Sequence, residues 1–93
     1  AIEGFTKAIE LNPNDLQSIY FRGLSKYELK DLSGAIQDYT KIIELDPTNA
    51  NAYFNRAISS IELNRLEEGC LDLNKAKDYG IEKASHYISE YCN

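Results

Sequence analysis

Residues 35–47 read Ala35-Ile36-Gln37-Asp38-Tyr39-Thr40-Lys41-Ile42-Ile43-Glu44-Leu45-Asp46-Pro47. Residues 1–13 read Ala1-Ile2-Glu3-Gly4-Phe5-Thr6-Lys7-Ala8-Ile9-Glu10-Leu11-Asn12-Pro13, and the two segments are identical at 8 of 13 positions. The offset is 34 residues, set by Pro13 and Pro47, and it continues beyond the segment. It relates Arg22 to Arg56, Ser25 to Ser59, Glu28 to Glu62, Leu29 to Leu63, Leu32 to Leu66, Asp38 to Asp72 and Lys41 to Lys75. A fixed period of this length marks stacked copies of one supersecondary unit, none of which can bury its apolar face alone.

Each unit reads as two amphipathic helices. Asn14 or Asp15 caps a first helix running to about Lys30, with Gln17 placed for a capping-box return. Asp31 to Gly34 is the expected turn, and a second helix runs to Leu45, where Asp46-Pro47 stops it because a residue before proline avoids helical dihedrals. The next unit places helices at about Thr48 to Asn64 and Leu66 to Tyr79, and Gly80 suits a left-handed terminal position with Ile81 as its apolar contact. In a last helix Ala84, Tyr87, Ile88 and Tyr91 fall on one face and Lys83, His86, Ser89 and Glu90 on the other. Small residues recur at Ala1, Ala35 and Gly69, and bulky ones four places later at Phe5, Tyr39 and Leu73. Gly23 and Ala57 form a second small site.

This arrangement resembles the tetratricopeptide repeat, which has a period of 34 and small, bulky and proline positions in this order. The resemblance covers residues 1–93: the second helix of a truncated repeat (1–13), two full repeats (14–47 and 48–81) and a capping helix (82–93). Arg22 and Arg56 depart from it at a leucine position, Lys26 and Ser60 at a tyrosine position, and Ile81 at the final proline. The resemblance implies an all-α fold, a right-handed superhelical array of antiparallel helix pairs, with the first helix of each pair on the concave side.

On the first full helix the core stripe is centred on Leu16, Ile19, Tyr20, Gly23 and Tyr27, and beside it lie Gln17, Phe21, Leu24 and Glu28. Their equivalents on the next unit are Asn51, Asn55, Ile58 and Glu62, next to Phe54. With Tyr20, these residues are the candidate partner-binding surface: an apolar floor, amide side chains for a peptide backbone, and two carboxylates that favour a basic residue in the ligand. Phe21 is an aromatic off the core stripe, which suggests contact with something. Tetratricopeptide domains that grip a C-terminal carboxylate of chaperones use lysine, asparagine and arginine on successive first helices. Asn55-Arg56 resembles one step of that clamp, but Tyr20 and Leu24 before it and Ser85 and Ser89 after it do not match.

The expected function is therefore a protein–protein interaction module that binds a peptide or partner protein. The alternatives are a spacer or self-assembly element, associating through Ile2, Phe5 and Ile9 on the truncated first helix, or an arm attached to an enzyme. A net charge of −5 with scattered basic residues argues against nucleic acid. Apolar runs of two or three residues argue against a membrane span, and we read the chain, which starts at Ala1 within a helical pattern, as a segment of a longer one. Catalytic residues, cofactor and metal are all read as none: no phosphate loop or zinc spacing occurs, Glu67-Glu68 suits a helix start, and His86 sits on a polar face. Cys70 and Cys92 are expected to be two half-buried thiols, with a single bridge between them as the alternative, and the compartment stays open with a lean towards a reducing, cytoplasmic one.

Overall fold

The computed structural model describes residues 2–92, so the small site expected at Ala1 lies outside it. Six helices follow in chain order: α1 (Ile2–Leu11), α2 (Leu16–Glu28), α3 (Leu32–Leu45), α4 (Ala50–Glu62), α5 (Leu66–Asp78) and α6 (Ala84–Tyr91). Each helix packs mainly against its neighbours in sequence, and the stack measures 42 × 25 × 17 Å. None of these helices is long and apolar enough to cross a membrane.

Local chemistry sets the helix ends. Asp15 accepts hydrogen bonds from the Ser18 amide and the Ser18 hydroxyl, at 3.2 and 2.7 Å, so Asp15 is the cap and Ser18, not Gln17, makes the return contact. Asp31 caps α3 through the Gly34 amide, and Asn49 caps α4 through the Ala52 amide, each at 3.0 Å. Arg65 holds the equivalent place before α5 and makes no such bond. The turn after α2 is Leu29-Lys30 rather than residues 31–34. Lys30 has φ of 68°, its amide bonds to the Tyr27 carbonyl, and the Asp31 amide reaches back to Lys26 at 2.8 Å. That is a Schellman closure, and α3 begins immediately after it, with Gly34 in its first turn. Asn64 (φ of 64°) repeats the closure after α4, and Gly80 (φ of 113°) makes it after α5, with Ile81 bonded to Ala76 at 2.9 Å.

Two buried clusters form the core. Ile19, Ala35, Tyr39, Ile42 and Ala52 join α2, α3 and α4, with Ile9 of α1 packed against them. Tyr53, Phe54, Ala57, Leu73, Ala76 and Ala84 join α4, α5 and α6. The small sites are real close approaches. A β-carbon on Gly23 would lie 2.8 Å from the Tyr39 ring, and one on Gly69 would lie 2.7 Å from Ile61 and 3.2 Å from the Ala57 carbonyl. Tyr39 and Leu73, the bulky partners of these positions, are fully buried.

Two further expectations are corrected. Cys70 and Cys92 form a disulfide, with α-carbons 5.8 Å apart, so they are not free thiols, and α6 is tied covalently to α5. They are 22 residues apart in sequence, and only the antiparallel return of α6 along α5 brings them together. The apolar edge of α1 is half-buried rather than exposed, because Phe5 stacks on Phe21 at 6.0 Å between ring centroids and Ile9 packs into the core.

A candidate binding groove between α2 and α4

The N-terminal halves of α2 and α4 enclose an open groove of about 290 Å³, lined by Leu16, Gln17, Tyr20, Phe21, Ile42, Asn49 and Asn51. None of these seven is charged. The floor is apolar and aromatic, with Tyr20 edge-on to Phe21 at 5.9 Å and tilted against Tyr39 at 6.2 Å. Gln17 and Asn51 stand exposed at the rim, while the side chain of Asn49 is occupied in capping α4.

Two hydrogen bonds fix the spacing of α2 and α4. The Asn55 amide donates to the Tyr20 hydroxyl at 2.9 Å, and also to the Asn51 carbonyl. About two turns further along, the Tyr27 hydroxyl donates to the Glu62 carboxylate. That acceptor, with partial burial, pushes the Tyr27 hydroxyl up to about 12, because the phenolate would lose its bond and face a like charge. Burial, with the nearby Tyr20 and Asp38 adding to it, raises Tyr39 as well.

Of the ten residues singled out in the sequence, Gln17, Tyr20, Phe21 and Asn51 come together in this groove. Asn55 stands beside it as a spacer bond. Leu24 and Ile58 are half-buried against the two core clusters. Phe54 is 8% exposed and covered by α6, with Tyr87 edge-on at 5.3 Å and the Lys83 ammonium 4.9 Å from its ring, so it is not part of an open surface. Glu28 lies on the opposite flank, in a shallow depression with Ile2, Glu3, Ser25 and Leu29, so the two carboxylates do not share a site. Leu16, Ile42 and Asn49 complete the lining and were not singled out; Leu16 and Asn49 carry other structural duties that hid them.

Asn55-Arg56, the one step that resembled a carboxylate clamp, has other bonds. Arg56 donates to both oxygens of Asp72, at 2.8 and 2.9 Å, and to Thr40 at 3.1 Å. Arg22 does the same with Asp38, at 3.0 and 2.7 Å, and Thr6 at 3.3 Å. These bonds hold both guanidinium groups above their ordinary range, the carboxylate hydrogen bond outweighing burial. The departures at a leucine position are thus one repeated device, a bidentate arginine–aspartate bridge that locks each helix pair. A sequence signal existed: Arg and Asp recur 16 residues apart in both units.

Capped helix pairs stacked at a fixed period, with a groove on the first helices, define a helical-repeat solenoid. A family model described as TPR repeat matches residues 23–59. Among solved structures, the TPR domain of Arabidopsis OM64 is 28% identical, with a TM-score of 0.92 over 98% of this chain and 77% of that one. The first TPR of Spaghetti (RPAP3), bound to the HSP90 peptide SRMEEVD, is 20% identical at a TM-score of 0.92, over 98% and 74% of the two chains. YrrB, described as a TPR protein with an unusual peptide-binding site, is 30% identical at a TM-score of 0.79, over 87% of this chain and 42% of its own. A search of curated protein sequences finds no match. The chain thus has the all-α solenoid fold of tetratricopeptide-repeat domains, and part of it matches their sequence model.

Proposed function

We propose that the chain holds a segment of another polypeptide in the groove between α2 and α4, and that it carries no catalytic activity of its own. The observation that supports this most is the groove lining: four apolar or aromatic side chains under three amides, in about 290 Å³. An apolar anchor residue of the ligand fits against Leu16, Tyr20 and Phe21, and the Gln17 and Asn51 amides offer a donor and an acceptor each to its backbone. The lining holds no cation to meet a terminal carboxylate, so the preferred segment differs from the acidic peptide bound by Spaghetti. The match to the TPR repeat model and the peptide-bound fold neighbour favour the same general role.

The test is peptide-display panning on the protein and on a Gln17→Ala/Asn51→Ala variant, whose two side chains are exposed and leave the fold intact. Peptides with an apolar anchor should be enriched on the parent and lost on the variant. Equal enrichment on both would remove the groove from consideration. A second reading, self-association or scaffolding through the α1 flank, is favoured by Leu29, 71% exposed beside Ile2 in the depression there. Sedimentation that shows a concentration-dependent dimer, abolished by Leu29→Glu, would support it; a monomer at all concentrations would end it.

A further inference from the structure

The two repeats carry the same arginine–aspartate bridge but differ in what stands beside it. In the first, the Lys26 ammonium lies 3.3 Å from Asp38, so Asp38 meets two cations, Arg22 and Lys26, and its side chain is 4% exposed. The position 34 residues on is Ser60, and Asp72 has Arg56 alone, with a side chain 9% exposed. The space that a lysine would fill is open there: a cavity of about 240 Å³ between α4 and α5, lined by Arg56, Ser60, Glu68, Leu71 and Asp72. Charge changes in the same direction. The first bridge has Arg22, Lys26 and Asp38 with Gly34 opposite, a sum of +1; the second has Arg56, Asp72 and Glu68, a sum of −1.

The geometry points to this cavity as a receptor for a lysine side chain of a partner polypeptide, seated on Asp72 as Lys26 is seated on Asp38. The ammonium is a donor only and needs acceptors, which Asp72, Glu68 and the Ser60 hydroxyl supply. Leu71, 68% exposed at the rim, gives the alkyl stem an apolar wall. The arginine does not forbid a second cation, because the first repeat holds both on one carboxylate. The site is separate from the groove between α2 and α4, so neither reading depends on the other.

The experiment follows backbone amide shifts of the whole protein by NMR during titration with Nα-acetyl-lysine N-methylamide. The norleucine analogue, which keeps the stem without the ammonium, and n-butylamine are run beside it. Saturable shifts at Ser60, Glu68, Leu71 and Asp72 with the lysine probe, absent with norleucine, are expected. Glu68→Gln, an exposed change, should weaken binding roughly threefold to fivefold, the worth of one half-solvated charge. Ser60→Lys should fill the cavity with the chain's own ammonium and abolish the shifts; if that variant does not fold, Glu68→Gln decides. Equal shifts with norleucine, or equal shifts around Asp38, would overturn the proposal. Tighter binding of n-butylamine than of the lysine probe would assign the cavity to free amines and overturn the polypeptide source.

Discussion

Phe54 and Phe21 are aromatic neighbours of one surface in sequence terms, yet the structure separates them, and substitution to alanine should show it. Phe54 is 8% exposed, fixed between α4 and α6 by Tyr87 edge-on at 5.3 Å and by the Lys83 ammonium at 4.9 Å. Removing a buried phenylalanine ring leaves a cavity and costs about 4 kcal/mol, of which the edge contact with Tyr87 is about 1 kcal/mol. In a domain of this length each kcal/mol lowers Tm by about 4–8 °C, so Phe54→Ala should melt on the order of 16–32 °C lower. Phe21 is 41% exposed and rests one face on Phe5 at 6.0 Å. Its loss should cost about 1 kcal/mol, while weakening any ligand of the groove. Urea unfolding followed by helical circular dichroism measures both. A Phe54→Ala loss under about 1 kcal/mol would mean that α6 does not cover the ring, and the assignment of α6 as the cap would fail. Adding Tyr87→Ala gives a second check: the double variant should lose about 1 kcal/mol less than the sum of the two single changes.

The capping pattern predicts that Asn49→Ala costs about 1 kcal/mol and that Arg65→Asp, which restores the missing cap of α5, gains about 0.5–1 kcal/mol; thermal melts of the two should move in opposite directions. Reduction of Cys70–Cys92, which closes a loop of 22 residues, should lower stability by about 3 kcal/mol on loop entropy. Amide exchange should rise first at residues 84–91, and unchanged exchange there would show that packing alone holds α6. Spectrophotometric titration should find Tyr27 ionising at about 12 rather than at the ordinary 10, and Glu62→Gln should bring it back down, while Tyr39, raised by burial, should not respond to that change. Because the folded value is raised, the stability that Tyr27 adds is complete below the ordinary tyrosine range and fades as pH climbs through about 12.

The architecture was legible because the repeat writes the same packing rule more than once. Ala35 and Gly69 sit where helices nearly touch, Tyr39 and Leu73 fill the space four residues on, and both pairs can be read by offset alone. The turn after α2 was not legible, because the residue in the left-handed conformation is Lys30, whose side chain advertises no such preference, while Gly34 attracted the turn reading. The disulfide was not legible either, since it joins helices whose mutual approach no spacing rule fixes. Phe54 was misplaced for a related reason. A helical wheel reports which way a side chain leaves its own helix, not which later helix will lie over it, and α6 lies over Phe54.

What the wheel could not weigh, the repeat can. Two units with the same period should place equivalent residues in equivalent surroundings, so a difference between them isolates a local cause. Arg22 and Arg56 make the same three bonds in both units, which shows that the backbone geometry is shared. Against that shared frame, Phe21 and Asn55 occupy one position and behave differently. Phe21 stacks on an aromatic of the preceding helix, and Asn55 reaches back to the Tyr20 hydroxyl. The first arrangement leaves an apolar face open at the groove, and the second closes the seam between α2 and α4 with a hydrogen bond. A ligand of the groove therefore meets its aromatic wall on α2 and a polar rim shared by Gln17 of α2 and Asn51 of α4, and a substitution that exchanges the two residues, Phe21→Asn with Asn55→Phe, should abolish binding while retaining the helical spectrum. Retained binding in that double variant would mean that the ligand is held elsewhere on the solenoid.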